Sequence, residues 1–293
     1  MKRVTVIGPG RMGGALAIAL FHAGYIVDRF IGRDKKKLRN LGRHVLPRPT
    51  IDTFESASAI DSDIIFITTP DPIIAGVANW LTRGIQGKPV VFHVSGALSS
   101  GVLQPLAERG LSTGSIHPLL SVSSPTSGAD KFAGTFFCLE GGYKAQKLAK
   151  EIVRRLGGKP FTIKTEVKPL YHLAAVMSSG HLVALADVSF SLMEKTGLSR
   201  QTARKILIPL IRSTVANLGK METSAALTGP VSRGDISTVR RHIAILESLC
   251  LQTEADTYLD LALRSIEIAR RDKCSPDLQA LQELILLAKQ NSR

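Results

Sequence analysis

A glycine-rich turn close to the start of the chain constrains the fold more than any other segment. The stretch VTVIGPGRMGG joins an apolar run to a helix-forming segment, with glycines spaced G-x-G-x-x-G at Gly8, Gly10 and Gly13. The first glycine permits a tight turn, the second lets a pyrophosphate approach the backbone, and the third lets the helix pack closely. The pattern predicts a dinucleotide-binding turn, and a connection that serves packing alone is the alternative.

The first half of the chain alternates β-like runs with helical segments. Strands are predicted at residues 4–7, 26–31, 63–68, 90–94, 113–116 and 135–139. A turn follows each strand, usually with a helix after it. Such alternation favours an α/β fold with a mainly parallel, doubly wound sheet.

The second half of the chain has a helical pattern instead. Apolar residues recur at helical spacing in five segments, at residues 167–195, 200–218, 236–249, 254–271 and 276–289. The sequence therefore predicts two domains, a Rossmann domain over residues 1–165 and an all-α domain over residues 166–293.

The charge of the chain favours anionic ligands. Its 293 residues include 38 Lys and Arg against 24 Asp and Glu, which gives a net charge of +14. The basic residues are scattered apart from a run at residues 35–37, and neither an aromatic RNA-binding pattern nor a helix-turn-helix accompanies them. A nucleic-acid partner is therefore not expected.

Cysteine usage and hydropathy indicate a cytoplasmic protein. Cys138, Cys250 and Cys274 are far apart in the sequence and near no histidine cluster, so we expect reduced thiols and no metal site. The apolar run before Gly8 is too short for a signal peptide. The most apolar long stretch, residues 173–190, contains a histidine, an aspartate and serines. It is interpreted as a buried helix of a soluble protein and not as a membrane span.

The end of the second predicted strand indicates which dinucleotide binds. An acidic residue about 20 positions after the glycines would bind the ribose of NAD, but Arg33 occupies that position. With Lys36 and its lysine neighbours, Arg33 would bind a 2′-phosphate, which favours NADP(H). Asp34 is the complication, since it could face the ribose or cap the next helix. Further cofactor contacts are expected at Arg11, Met12, Thr69 and Pro70.

Polar residues follow three later strands where an open α/β sheet binds its ligands. The segments are TTPD at residues 68–71, HVSG at residues 93–96 and HPLLS at residues 117–121. His93 is expected in the core with its nitrogens hydrogen-bonded, whereas Ser95 is expected to reach the rim and is a candidate catalytic residue. For His117, a structural role and a substrate-binding role both stay open.

The first helix of the second half carries candidates for proton transfer. At about 3.6 residues per turn, Lys168, His172 and Ser179 fall on one stripe with small residues between them. His172 is the candidate proton donor, because an imidazole can supply a proton near neutral pH, and a structural role on this mostly apolar helix is the alternative. Lys168 is a second candidate, although Pro169 suggests a solvated lysine at the start of the helix. Ser179 is a candidate substrate contact.

The stretch ALTGPVSRGD contains one further candidate. Asp235 is expected to cap the helix that follows, and the glycines mark turns. A turn has no need of the guanidinium of Arg233. Because an arginine binds a carboxylate through two hydrogen bonds, Arg233 is expected to bind a substrate carboxylate.

Taken in order, GPGRMGG, TTPD, HVSG, GSIHPL, KPLYHLAAVMSSG and ALTGPVSRGD resemble Rossmann-like proteins with a DUF2520-type helical C-terminal domain. This group is similar to pyrroline-5-carboxylate reductases, F420-dependent NADP reductases and an alternative ketopantoate reductase. The related 3-hydroxyacid dehydrogenases have K-x-x-x-N on the corresponding helix, where this chain has Lys168 and His172.

The resemblance implies a homodimer that uses NADP(H) and completes its site at a domain or subunit boundary. The expected function is NADP-dependent reduction of a small keto acid or imine, with 2-dehydropantoate as a concrete candidate. A catalytically silent dinucleotide-binding sensor is the alternative.

Overall fold

The computed structural model describes residues 1–271 and 276–291, so Cys274 lies outside the described residues. The chain folds into two units, Met1–His181 and Leu182–Arg293. The domain boundary predicted near residue 165 follows the last strand, whereas the boundary between these units falls inside a long helix.

The first unit contains a mixed sheet and its covering helices. Its strands are β1 (Arg3–Ile7), β2 (Ile26–Ile31), β3 (Thr50–Asp52), β4 (Ile64–Ile67), β5 (Val90–His93), β6 (Ser112–Pro118), β7 (Phe136–Gly141) and β8 (Lys159–Thr162). Its helices are α1 (Arg11–His22), α2 (Lys35–Gly42), α3 (Asp71–Leu81), α4 (Gln104–Glu108), α5 (Pro125–Ala129) and α6 (Tyr143–Arg155). Helix α7 (Lys168–Glu194) begins in this unit, and short 3₁₀ helices lie at Ser100–Leu103 and Thr165–Val167.

The eight strands form one sheet in the order β3-β2-β1-β4-β5-β6-β7-β8. Strands β1 to β6 are parallel, and β7 runs antiparallel to β6. The predicted doubly wound, mainly parallel sheet is confirmed. Because the carboxyl ends of β1, β2, β4, β5 and β6 lie at one edge, the segments that follow these strands are neighbours there.

Both faces of the sheet are buried, which explains the continuous apolar runs of its central strands. In β4, Ile64 and Phe66 pack in one core layer with residues of α1 and α6. Ile65 and Ile67 point the other way, into a layer with residues of α3. The alternation of side chains along a strand thus positions helices on both faces of the sheet.

The second unit is helical, as predicted. Its helices are α8 (Arg200–Leu218), α9 (Thr223–Ala226), α10 (Pro230–Arg233), α11 (Ile236–Ser248), α12 (Gln252–Ala269) and α13 (Pro276–Asn291). Val239, Leu259 and Leu281 are buried in its core. The Asp235 carboxylate accepts a hydrogen bond from the Thr238 N–H at 3.0 Å, so the predicted cap of α11 is present.

Helix α7 departs from the expectation of a buried helix. Leu170, Leu173 and Met177 are 67%, 53% and 56% exposed. By length and composition alone, the segment Thr165–Glu194 could cross a membrane. A single helix of this kind is weak evidence for a membrane protein. The sequence shows that this helix is apolar, but apolar composition does not determine what covers it.

Candidate active site

The glycine-rich turn forms an open cradle between β1 and α1. Gly8 has a φ of +71°, a conformation that side chains with a Cβ rarely adopt. A Cβ on Gly13 would lie 2.6 Å from the Thr68 Cβ, so its absence lets α1 pack against the end of β4. At Gly10 an added Cβ would meet no atom of the described chain within 4 Å. The backbone at Gly10 is therefore open to a ligand.

A cavity of about 340 Å³ adjoins this cradle. The expected cofactor residues Gly8, Gly10, Arg33, Thr69 and Pro70 are among the residues that line it. Lys37 lines the cavity instead of Lys36, because Asp34 begins the helix and sets which side chains of its first turn face inward. Arg11 and Met12 form the first turn of α1 beside the cradle.

Two observations show how a dinucleotide would fit this cavity. The Asp34 carboxylate accepts hydrogen bonds from the Lys36 and Lys37 N–H groups, both at 3.0 Å, and these bonds lower the pKa of Asp34. Asp34 is thus the cap of α2, and Arg33 lines the cavity beside it. Thr69 Oγ1 is buried and has no hydrogen-bond partner among the described residues, so a ligand hydroxyl or phosphate could satisfy it.

A second cavity, of about 650 Å³, lies at the carboxyl end of β6 and along the first turns of α7. His117, His172 and Ser179 line it together, as do Phe161 and Tyr171. The Ser179 hydroxyl donates to the Ala175 carbonyl at 2.9 Å. The sequence-based candidates on β6 and α7 therefore meet at one cavity, apart from Lys168.

Lys168 is not among the residues that line this cavity and is fully buried, which corrects the expectation of a solvated lysine at the start of the helix. Its ammonium donates a hydrogen bond to Ser115 and lies 3.7 Å from the Glu140 carboxylate. Glu140 also accepts hydrogen bonds from the Ser100 N–H at 2.7 Å and the Thr165 hydroxyl at 3.0 Å. Lys168 thus attaches the start of α7 to the sheet.

The pH dependence of stability should report this buried lysine. Burial lowers the pKa of Lys168 to about 8, against the opposing effect of Glu140, while the unfolded chain keeps a value near 10.5. The unfolded state then binds more protons between these values, so stability rises with pH by on the order of 3 kcal/mol. Urea unfolding at several pH values should show this rise in the wild type. The rise should be absent from the double variant Lys168→Met/Glu140→Gln. If the free energy of unfolding depended on pH equally in the wild type and the double variant, the assignment to Lys168 would be contradicted.

Ser95 does not reach the rim, contrary to the sequence-based expectation, because its hydroxyl is held in the loop after β5. The hydroxyl donates to Asp71 at 2.8 Å and accepts from the N–H groups of Ala97 at 3.2 Å and Leu98 at 3.0 Å. Ser95 is 6% exposed. A hydroxyl with these partners orders the loop and is not a free catalytic group.

His93 has the expected core environment. Its Nδ1 accepts a hydrogen bond from the Ser95 N–H at 3.1 Å, and its Nε2 is 3.2 Å from the Ser99 carbonyl oxygen. Burial lowers the pKa of His93 to about 3. The imidazole therefore stays neutral and holds the loop that ends in Gly96.

The polar centre of the second cavity is a pair of imidazoles. His117 Nδ1 is 2.7 Å from the Tyr171 hydroxyl, and the rings of His117 and His172 are 5.8 Å apart in an edge-to-face arrangement. His172 Nδ1 is buried without a hydrogen-bond partner in the described part of the chain. A Cβ on Gly96 would lie 2.7 Å from His117 Nε2 and would also overlap His172 Nδ1. Gly96 therefore makes room for both rings.

Sequence reasoning missed three of these residues. Glu140 has no motif around it, and Gly96 matters only for contacts with rings that are distant in the sequence. Tyr171 could have been found, because it lies three residues after Lys168 and one before His172 on the same helix.

Arg233 belongs to the second unit, where it is the exposed last residue of α10. Gly229 before this short helix and Gly234 after it both have positive φ. The predicted turns are therefore present, with one helical turn between them. The proposed carboxylate contact of Arg233 stays a prediction.

The fold and the glycine cradle together define a Rossmann-type dinucleotide-binding architecture. Two family models match the chain, the Rossmann-like domain over residues 1–118 and the domain of unknown function DUF2520 over residues 135–265. The chain therefore joins a Rossmann-like domain to a DUF2520 domain.

Solved structures share this architecture over most of the chain. Protein TM1727 from Thermotoga maritima has a TM-score of 0.72 and 27% identity, covering 92% of this chain and 99% of that one. The Bacteroides fragilis protein BF3122, assigned as an NADP oxidoreductase, has a TM-score of 0.73 and 20% identity, covering 90% of this chain and 97% of that one. Plasmodium falciparum pyrroline carboxylate reductase with NADP bound has a TM-score of 0.59 and 16% identity, covering 96% of this chain and 98% of that one.

One curated relative matches a part of the chain. The glycerol-3-phosphate dehydrogenase (NAD(P)+) of Enterococcus faecalis is 26% identical over 117 residues, which are 36% of this chain and 34% of that enzyme. The chain thus spans about a third of the length of the curated relative it matches.

Proposed function

We propose that the protein is an NADP(H)-dependent reductase of a small carbonyl or imine compound. The observation that carries this proposal is the position of the two cavities at the carboxyl edge of one sheet. One is the glycine cradle with the orphaned Thr69 hydroxyl, and the other contains His117 and His172. Ligands of open α/β sheets bind along this edge.

In this function the chain has two tasks. Gly10 and the first turn of α1 would hold the pyrophosphate, because unpaired N–H groups at a helix N-terminus favour negative charge. When bound, the reduced nicotinamide supplies a hydride to the substrate. His172 would give the accompanying proton, and the apolar walls at Phe161, Ala174 and Val176 would keep water from the reacting atoms.

Arg33 should determine the preference between the two nicotinamide cofactors. Its guanidinium would bind the 2′-phosphate in two charge-assisted hydrogen bonds, because Asp34 is engaged as the helix cap. Arg33→Ala should weaken NADPH binding by roughly ten- to a hundred-fold and change NADH binding little. Fluorescence titration of both cofactors measures this effect, with the exposed Arg39→Ala on the same helix as control. Equal affinity of the wild type for NADPH and NADH would contradict the assignment.

For a keto acid substrate, we propose that Arg233 binds the carboxylate. Lysine at this position keeps the charge but loses the two parallel hydrogen bonds of a guanidinium. Arg233→Lys should therefore raise KM for an active keto acid by about tenfold, with a smaller effect on kcat. The measurement is steady-state kinetics. An unchanged KM in both Arg233→Lys and Arg233→Ala would assign the α10 segment a structural role.

We also propose that the exposed apolar face of α7, which includes Leu170, Leu173 and Met177, is covered in a homodimer. A contiguous apolar surface of this kind is unusual on a monomer in water. Sedimentation equilibrium at micromolar concentration tests the proposal, and a monomer would contradict it.

The function itself is tested by cofactor titration followed by NADPH oxidation with a panel of small ketones, keto acids and cyclic imines. The panel includes 2-dehydropantoate. We expect tight NADPH binding and turnover of at least one compound. Binding of NADPH without any turnover would favour a dinucleotide sensor, and absence of binding would refute both functions.

A further inference from the structure

The hydroxyl of Tyr171 takes no part in the cofactor binding or the proton transfer proposed above. Tyr171 lies one helical turn after Lys168, and its hydroxyl is 2.7 Å from His117 Nδ1. Burial raises the pKa of Tyr171, with a further contribution from Cys138, so the phenol stays protonated. A short contact between a protonated phenol and an imidazole favours the phenol as donor, because a ring nitrogen is the better acceptor.

This hydrogen bond determines which nitrogen of His117 carries its proton. Burial, with smaller contributions from His172 and Lys168, lowers the pKa of His117 to about 4, so His117 is neutral at pH 7. A neutral imidazole that accepts at Nδ1 has its proton on Nε2. His117 Nε2 therefore carries an N–H group that is available to donate a hydrogen bond.

His172 Nδ1 is the candidate acceptor, although the structure shows the two rings in contact and not hydrogen-bonded. His117 Nε2 and His172 Nδ1 both lie against the same side of Gly96, at the point where a Cβ would be. His172 Nδ1 is enclosed by protein and unpartnered among the described residues, so a substrate does not reach it. The edge-to-face rings bring the two nitrogens to the same point beside Gly96.

We propose that Tyr171 and His117 are positioning residues that form a hydrogen-bonded chain to His172 and direct its Nε2 into the cavity. This inference rests on the proposed function, in which His172 is the proton donor. In the neutral chain, Tyr171 O–H donates to His117 Nδ1, and His117 Nε2–H donates to His172 Nδ1.

A proton added to His172 reverses the direction of both hydrogen bonds. The added proton is on His172 Nδ1 and donates to His117 Nε2. The single proton of His117 has moved to Nδ1 and donates to the Tyr171 oxygen, and the phenol keeps its own proton, which turns away from His117. Hydride from reduced nicotinamide adds to the carbon of the C=O or C=N group, and the bonding electron pair moves to the oxygen or nitrogen. That oxygen or nitrogen then takes the Nε2 proton of His172. His172 is then neutral and regains a proton from solvent. In both states Nε2 faces the cavity.

The first test is spectroscopic and does not depend on turnover. Long-range ¹H–¹⁵N spectra of the full-length protein, at a pH where both rings are neutral, identify the protonated nitrogens. We expect Nε2–H on both His117 and His172. In Tyr171→Phe, His117 should become a mixture of tautomers, whereas Tyr143→Phe at an exposed position should leave it unchanged. Protonation of His117 on Nδ1 in the wild type would overturn the proposal.

The second test uses substitutions that keep or remove the bridge. His117→Gln places an amide near the Nε2 position, which can donate to or accept from His172, whereas His117→Leu can do neither. We expect kcat within about threefold of wild type for His117→Gln and about a hundredfold lower for His117→Leu. Tyr171→Phe should lower kcat about tenfold, and KM for NADPH should stay unchanged in all three.

The outcomes separate this inference from the proposed function. Equal kcat values for folded His117→Gln and His117→Leu would overturn the positioning chain while leaving the reductase assignment in place. Failure of the wild type to oxidise NADPH with any compound would overturn the proposed function, and the tautomers of His117 and His172 would still decide whether the chain exists. Thermal unfolding of each variant identifies any that fail to fold.

Discussion

Replacing His172 with alanine is expected to lower kcat by about 10²–10⁴-fold, the range in which positioned general acids contribute. His172 lines the cavity at the end of β6, whereas Lys168 is paired with Glu140 and the Ser95 hydroxyl is bonded within its loop. Of the three candidate donors, His172 alone faces the cavity. Affinity for NADPH should stay within about threefold of wild type, because His172 does not line the cavity beside the glycine cradle.

The comparison variant for this experiment is His44→Ala. His44 is exposed in the same unit and lines neither cavity, so its loss should leave kcat unchanged. Stopped-flow measurement of NADPH oxidation separates the chemical step from product release. If folded His172→Ala turns over at the wild-type rate, the proton comes from water or from another residue.

A single methyl group at Gly96 should have an effect nearly as large. Gly96 is not among the glycines with positive φ, so its backbone accepts alanine. The new Cβ would nevertheless lie 2.7 Å from His117 Nε2 and overlap His172 Nδ1, so both rings must move. Since a displacement of about 1 Å can cost on the order of 10² in rate, we expect kcat to fall about a hundredfold. The strain should also lower stability by about 1–3 kcal/mol.

Gly76→Ala provides the matched control for Gly96→Ala. Gly76 lies within α3, where an added Cβ meets no atom of the described residues within 4 Å. This substitution should leave kcat unchanged and keep or raise the unfolding temperature, because alanine favours a helix. NADPH binding should be retained in both variants. Wild-type activity in Gly96→Ala would show that the two rings do not act where the structure brings them together.

Most of the fold could be predicted from local patterns. The glycine spacing, the apolar strands and the long helices of the second unit each depend on residues that are close in the sequence. Strands β3 and β8 were both missed. Strand β8 (Lys159–Thr162) contains a proline, which weakens a strand prediction, and β3 has three residues, too few for a detectable alternation. The one-turn helices α9 and α10 were missed for the same reason.

The site was predictable only in part. His172 could be singled out on its helix, and His117 at its strand end, because both signals are local. Lys168 was misjudged because its partner Ser115 is 53 residues away in the sequence, and the register of β6 and β7 brings Glu140 beside it. Local propensity contains no information about such pairs. The exposure of α7 was missed for a related reason, since hydropathy does not identify the covering surface.

The antiparallel pairing of β6 with β7 limits which part of the cavity can vary in sequence. Cross-strand pairing sets Ser115 opposite Glu140 and His117 opposite Cys138, so ladder hydrogen bonds fix the position of His117 at the cavity. Residues 119–121, which also line the cavity, belong to the loop that connects β6 to α5. Insertions and exchanges in that loop can alter the width of the entrance while the imidazoles keep their places. Sequence changes that alter substrate range, in nature or in a selected library, are therefore expected mainly in this loop.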